Sequence, residues 1–112
     1  SKKVTAVTRK IDLDGLRRAY VGRLNSVFQR GSQYPRAARR AGIEGKVIVE
    51  IVIDANGNIV STRVASSSGH KVLDHAALRA VAVVDRVPAP PSALGWERRS
   101  MRVPFIYSVQ PT

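Results

Sequence analysis

Lys46-Val47-Ile48-Val49-Glu50-Ile51-Val52-Ile53-Asp54-Ala55-Asn56-Gly57-Asn58 decides how this chain folds. Up to Asp54, Val47, Val49, Ile51 and Ile53 fall on one side of an extended backbone, and Ile48 and Val52 with Glu50 fall on the other. β-Branched residues suit a pleated strand, and apolar residues on both sides predict a strand in the interior of a sheet. The segment Asp54 to Asn58 predicts a hairpin turn, because Asn and Gly accept positive φ at little cost. Ile59 to Ser66 is then the return strand, and its Ser61, Thr62 and Arg63 predict an edge position.

Downstream, Ser66-Ser67-Ser68-Gly69 breaks the pattern and leads to a helix over Val72 to Val84. Its apolar stripe is Leu73, Ala77, Ala80, Val81 and Val84, with His75 and Arg79 on the exposed side. Alanine along that stripe lets the helix lie close to a sheet. Val87 to Pro91 predicts an extended connector into a polar loop around Trp96. Met101, Val103, Phe105, Tyr107 and Val109 alternate with Arg102, Pro104, Ile106 and Ser108, which predicts a half-buried third strand over Met101 to Val109. A helix between the second and third strands carries the chain across a sheet face, so the third strand returns beside the first. The predicted order is two, one, three, with antiparallel neighbours. The last strand is an edge, and Pro104 agrees, since proline cannot donate to a ladder.

Upstream, Tyr34-Pro35 opens a short helix that Gly42 ends. Between Asp12 and Arg30, Leu13, Leu16, Tyr20, Leu24, Val27 and Phe28 recur at helical spacing, with Asp12 as the expected cap and Gly31 as the expected end. Gly15 and Gly22 make this helix dependent on packing. Ser1 to Ile11 has no clear period and is expected to be a flexible basic tail. The fold class is therefore α+β, a small three-stranded antiparallel sheet with helices on one face. It forms a single domain over residues 12–112, preceded by the tail at 1–11.

The chain has 112 residues, 44% of them hydrophobic, which suits one domain with one modest core. Only 5% are aromatic, so that core is built from Val, Ile, Leu and Ala and leaves little room for a large cofactor. With no cysteine, disulfides, thiolate metal sites and cysteine nucleophiles are all excluded. No apolar run approaches the roughly 20 residues of a membrane helix. The start at a serine predicts a piece of a longer protein. Of the net charge of +11, Ser1 to Arg40 supplies +9, from eleven Lys and Arg against Asp12 and Asp14. Such a block is either a solvated arm or a contact for nucleic acid, anionic lipid or an acidic protein surface.

His70 and His75, with Asp74 and Ser68 nearby, raise the question of a hydrolytic or metal site. Ligands sharing a helical face stand three or four residues apart; these histidines stand five apart, and no third ligand is in view. Asp74 instead suits the start of a helix, where a carboxylate meets unpaired N–H groups. Pro88-Ala89-Pro90-Pro91 fits a PxxP ligand but also a stiff connector. No aromatic and basic cluster on a strand marks a base-stacking platform, so nucleic acid is not expected as a partner and is supported by charge alone. The last strand remains. Arg102 and Pro104 suit a blunted edge, whereas the uncharged run Phe105 to Val109 suits β-augmentation by a partner peptide.

An ordered series of motifs resembles the C-terminal domain family of TonB, the bacterial energy transducer. It runs from Tyr34-Pro35 and Ala37-Ala38-Arg39 through Gly42-Ile43-Glu44-Gly45-Lys46-Val47, Ile53-Asp54 with Asn56-Gly57, and Ser67-Ser68-Gly69. It continues with Leu73-Asp74, Ala76-Ala77-Leu78 and Ala80-Val81 and closes on Val103-Pro104-Phe105, spanning Gln33 to Gln110. The resemblance implies a periplasmic domain, anchored in the full protein to the inner membrane. It also implies work with ExbB and ExbD, without a cofactor, on outer-membrane receptors for siderophores, haem or cobalamin. Arg102, Val103, Pro104, Phe105, Ile106, Tyr107, Ser108 and Val109 would hold the receptor segment called the TonB box. Gln33, Tyr34 and Pro35 would add contacts, the stretch before Tyr34 lying near the receptor plug. An exposed edge also allows a homodimer. The alternative function is a basic module that binds surfaces or nucleic acid through the N-terminal arm.

Overall fold

The computed structural model describes residues 2–109, with side chains described from residue 13 onward. Strand β1 (Gly45–Asp54) forms the centre of a three-stranded antiparallel sheet, flanked by β2 (Ile59–Ser66) and β3 (Arg98–Tyr107). Val47, Val49, Ile51 and Ile53 are fully buried, and the alternate residues of β1 are partly exposed or exposed, so helices cover one face of the sheet only. The covering elements are α1 (Lys2–Arg30) and α3 (Lys71–Ala82), with the short α2 (Arg36–Arg40) between α1 and the sheet in chain order. Leu73, Ala76, Ala77, Ala80 and Val81 of α3 join Val103, Phe105 and Tyr107 of β3 in the same core. The small alanine side chains permit this close approach, and each large aliphatic or aromatic residue so buried contributes about 1.5–3 kcal/mol.

Three expectations are corrected. The first helix begins at Lys2, so residues 2–11 have helical backbone and Asp12 is an interior residue instead of a cap; Ser1 lies outside the described residues. Its buried stripe is narrower than the spacing suggests: Tyr20, Leu24 and Phe28 are buried, while Leu13 and Leu16 are exposed. A 29-residue helix is about 43 Å long and a ten-residue strand about 33 Å, so α1 overhangs the sheet, and Leu13 and Leu16 lie outside its docked part. The third strand covers Arg98–Tyr107 and not Met101 to Val109. Its register runs from Gly45↔Tyr107 to Asp54↔Arg98, so the whole of β1 recruits a partner, including Arg98, Arg99 and Ser100, which carry no apolar alternation. Past Gly45 there is no β1 left to pair with, and Ser108 and Val109 leave the ladder. Gln110, the end of the expected core, lies outside the described residues.

The β1–β2 turn is held from inside. Asp54 accepts hydrogen bonds from the N–H groups of Asn56 and Asn58, both at 2.9 Å, and from Asn58 Nδ2 at 3.0 Å. Gly57 has φ +85°, and a Cβ there would stand 2.1 Å from the carbonyl oxygen of Val87. That approach ties the turn to the connector, because Val87 N–H donates to Gly57 O at 3.0 Å and Asn58 bridges Arg86. Gly57→Ala should therefore destabilise the chain by more than Gly69→Ala. Gly69 also has positive φ but open space around it, and the left-handed conformation alone costs an alanine about 1–2 kcal/mol. Urea unfolding of the two variants checks the order.

Ahead of α3, Asp74 accepts from the Ser68 N–H at 2.9 Å and the Ser68 hydroxyl at 2.8 Å, so it fastens the Ser67-Ser68-Gly69 loop to the helix's first turn. Desolvation raises its pKa, but the hydrogen bonds from Ser67 and Ser68 outweigh this, and the net shift is downward from 3.8. The bonds from Asn58, first its N–H and then its side chain, likewise lower Asp54. A carboxyl whose folded pKa lies below its unfolded value lends stability above the unfolded value and loses it as pH falls through the folded one. Urea midpoints should therefore decline below pH ~4, the usual range of unfolded aspartates, and Asp74→Asn should flatten part of that decline.

Candidate partner-binding edge

The sheet has two outer strands, and they differ. β2 carries Arg63 and meets β1 with irregular register at Ile48/Val49 and again at Val52/Ile53. Such bulges discourage further pairing, and it is they that distinguish β2, since β3 carries more charge in Arg98, Arg99 and Arg102. β3 pairs with β1 without interruption over its full length.

Pro104 reveals which backbone groups of β3 face outward. Successive residues of an antiparallel strand aim their N–H and C=O alternately toward the partner and away from it. Pro104 has no N–H to give to β1, and its carbonyl oxygen accepts from Gln29 Nε2 of α1 at 2.6 Å. Its backbone therefore points away from the sheet. The same parity turns Arg102 and Ile106 outward, while Val103, Phe105 and Tyr107 bond to β1 and bury their side chains. Ile106 is 69% exposed. The outer edge thus offers the carbonyls of Arg102 and Ile106 and their N–H groups, with the Pro104 carbonyl already held by Gln29.

Alongside this edge, between α1 and β3, runs a groove of about 610 Å³. Its walls include Arg17, Arg18 and Val21 from α1 and Trp96, Arg99 and Met101 from the β3 side. Tyr20 fixes one end: its ring packs edge-on to Trp96 at 5.9 Å, and its hydroxyl donates to Pro88 O at 2.6 Å. Burial pushes the Tyr20 pKa up to about 12, against a smaller opposing effect of Arg23, so the hydroxyl stays neutral. Trp96 is accordingly half-buried while its neighbours Gly95 and Glu97 are exposed, with a short 3₁₀ turn at Ser92–Leu94 leading into it.

The other residues singled out from sequence divide between two places. Tyr34 packs edge-on to Tyr107 at 5.4 Å and donates its hydroxyl to Ile43 O, so it braces the far end of β3. Pro35 caps α2. Gln33 is exposed and lines a separate hollow with Arg30, Ala76 and Arg79, away from the β3 groove. Ser108 and Val109 follow the strand, and Val109 N–H donates to Glu44 Oε2 at 2.5 Å. Gln29, Arg17, Arg18 and Arg99 carry no distinguishing sequence signal, since polar and basic residues on an exposed helix or strand end look alike until the fold brings them together. His75 is exposed on α3, and among the described residues no three His, Cys, Asp or Glu side chains cluster as a metal site.

These features define a small α+β domain with a groove along a strand edge that is unpaired among the described residues. The chain belongs to the Gram-negative bacterial TonB protein C-terminal family, whose family model matches residues 30–109. It is 38% identical to the TonB protein of Pseudomonas putida over 79 residues, 69% of this chain and 32% of that protein. Over 49 residues it is 51% identical to the TonB protein of Vibrio cholerae, 44% of this chain and 20% of that protein. Among solved structures, a solution structure of the Helicobacter pylori TonB C-terminal domain superposes with a TM-score of 0.72 at 26% identity, covering 84% of both chains. The HasB C-terminal domain shares the fold, with a TM-score of 0.51 at 24% identity over 80% of this chain and 70% of that one. The chain matches a third or less of the length of these curated relatives. The family is non-enzymatic.

Proposed function

We propose that this chain is the periplasmic, receptor-contacting end of a TonB-like energy transducer, and that it holds an extended segment of an outer-membrane receptor along β3. The observation that carries the reading is the outward-facing backbone of Arg102 and Ile106 on an outer strand with no charged side chain from Val103 to Val109. An incoming strand gains main-chain hydrogen bonds there while β3 keeps all of its own with β1. In the full protein an inner-membrane anchor coupled to ExbB and ExbD supplies the work, which the domain passes to receptors for siderophores, haem or cobalamin. Among the described residues no helix is long and apolar enough to cross a membrane. Two copies of the chain joined along β3 would form a homodimer that competes with the receptor.

Titration with a short peptide of a receptor's TonB box, followed by amide NMR, tests the reading. The expected result is shifts at Arg102, Ile106 and Ser108 with smaller changes on β2. Shifts confined to α1 would refute it and favour contact through the basic helix.

A further inference from the structure

We infer that the outer surface of the helical layer, where the end of α1 meets α3, is a docking surface for a membrane rich in anionic phospholipid. This surface lies on a different face from the β3 edge, and the inference stands independently of strand pairing.

Charge is segregated between the layers of the fold. α1 carries eight Lys and Arg against Asp12 and Asp14, whereas β1 and β2 together carry Lys46 and Arg63 against Glu50 and Asp54. Along α3 and its C-cap, Val72, Ala76, Arg79 and Val83 recur at steps of four, three and four, so they share one side of the helix. That side meets the end of α1: a Cβ at Gly31 would stand 3.3 Å from the Ala80 carbonyl oxygen and 3.3 Å from Val83 Cγ2. Arg30, in the last turn of α1, lines a hollow of about 300 Å³ together with Ala76, Arg79 and Val83. Two exposed arginines thus flank small apolar residues, with Val83 64% exposed and Val72 40% exposed on the same side.

The two arginines have no internal counter-charge. Asp14 stands 4.0 Å from Arg17, and Asp74 accepts hydrogen bonds from Ser67 and Ser68. Among the described residues no carboxylate comes within ion-pair distance of Arg30 or Arg79. A phosphodiester placed between guanidinium groups accepts paired N–H donors from each. Exposed valines beside such arginines suit the boundary between headgroups and acyl chains, as on a helix that lies on a bilayer. Helical backbone is satisfied internally and offers no ladder to an extended peptide. A nucleic acid would use the arginines and leave Val72 and Val83 in water. It would also find no ring to stack on, because Tyr20 and Phe28, the aromatic residues of the two helices, are buried.

Co-sedimentation with vesicles of phosphatidylglycerol mixed into phosphatidylcholine, compared with phosphatidylcholine alone, tests this. The chain should bind the mixed vesicles at least about tenfold more tightly, and the difference should shrink as salt rises. A basic residue close to such a surface contributes about fivefold, so Arg30→Gln, Arg79→Gln should lose about twentyfold. Removing the same charge from the uncovered side of the sheet, as Arg63→Gln, Arg98→Gln, should lose less than about twofold. Two packed layers separate that side from the lipid, and the Debye length at physiological salt is about 8 Å. Val72→Ser, Val83→Ser should weaken vesicle binding severalfold. All these side chains are exposed; should a variant nevertheless unfold, a spin-labelled lipid added to the unchanged chain should broaden the amides of Arg79 to Val83 most and those of β2 least. Equal losses from the two arginine pairs, broadening spread evenly over both layers, or equal binding to both kinds of vesicle overturns the inference. Binding of inorganic phosphate at Arg30 and Arg79 with no retention on vesicles overturns the membrane as partner. Displacement from vesicles by single-stranded oligonucleotide at equal phosphate concentration overturns the choice of lipid. Strand pairing is read separately, since peptide shifts along β3 should persist in the Arg30→Gln, Arg79→Gln variant.

Discussion

An Ile106→Pro chain should fold normally and lose its hold on an added strand. Ile106 is one of the outward-facing residues of β3, and its side chain is largely exposed, so neither its N–H nor its bulk belongs to the core. Pro104 already withholds a donor two residues earlier. With proline at both positions the middle of the edge has acceptors only, and the new ring stands where an incoming backbone must approach. One lost hydrogen bond is worth about 0.5–1.5 kcal/mol, and with the steric block the affinity for a box peptide should fall about tenfold or more. The melting midpoint should move by less than about 5 °C, since nothing buried changes. Ile106→Val, which keeps the N–H, should bind as the original does. Undiminished peptide affinity in the proline variant would mean that β3 is not the pairing edge.

The largest loss of stability should come from Phe28→Ala. Phe28 is fully buried, the last of the Tyr20, Leu24, Phe28 series that seats α1 on the sheet. Removing a buried phenylalanine costs about 3–5 kcal/mol, a large part of the 5–15 kcal/mol that holds a typical domain together. For a chain of this size the melting temperature should drop on the order of 15 °C. Leu13→Ala, on the same helix and at a position that fits the same apolar spacing, should change stability by less than about 0.5 kcal/mol, because Leu13 has no core to leave. Thermal unfolding of both variants distinguishes a helix docked along its whole length from one docked by its second half. A drop for Leu13→Ala comparable to that for Phe28→Ala would contradict the overhang.

The central hairpin, the helix that crosses the sheet and the order β2-β1-β3 were all legible in the residues, because each rests on a local rule. Side-chain alternation marks a strand, Asn-Gly marks a turn, and a helix between strands constrains where the next strand lands. Periodicity overstated the docked part of α1, since a helical stripe shows which face is apolar and not how far the neighbouring surface extends. It understated β3 for the opposite reason: Arg98 to Ser100 join the ladder through pairing with β1, and backbone pairing leaves no mark on side-chain composition.

Sequence by itself determined that this chain is an α+β domain with its last strand at an edge, because Pro104 can stand only where an N–H is not needed. Tertiary structure alone decided what lies beside that edge: Gln29 on the Pro104 carbonyl, Tyr20 against Trp96, and Arg17 and Arg18 of α1 lining the same groove as Arg99. These groups are about 75 to 85 positions apart in the chain, and exposed polar side chains follow no period. Only the packing of α1 against the sheet, driven by Tyr20, Leu24 and Phe28, brings them within reach of one another.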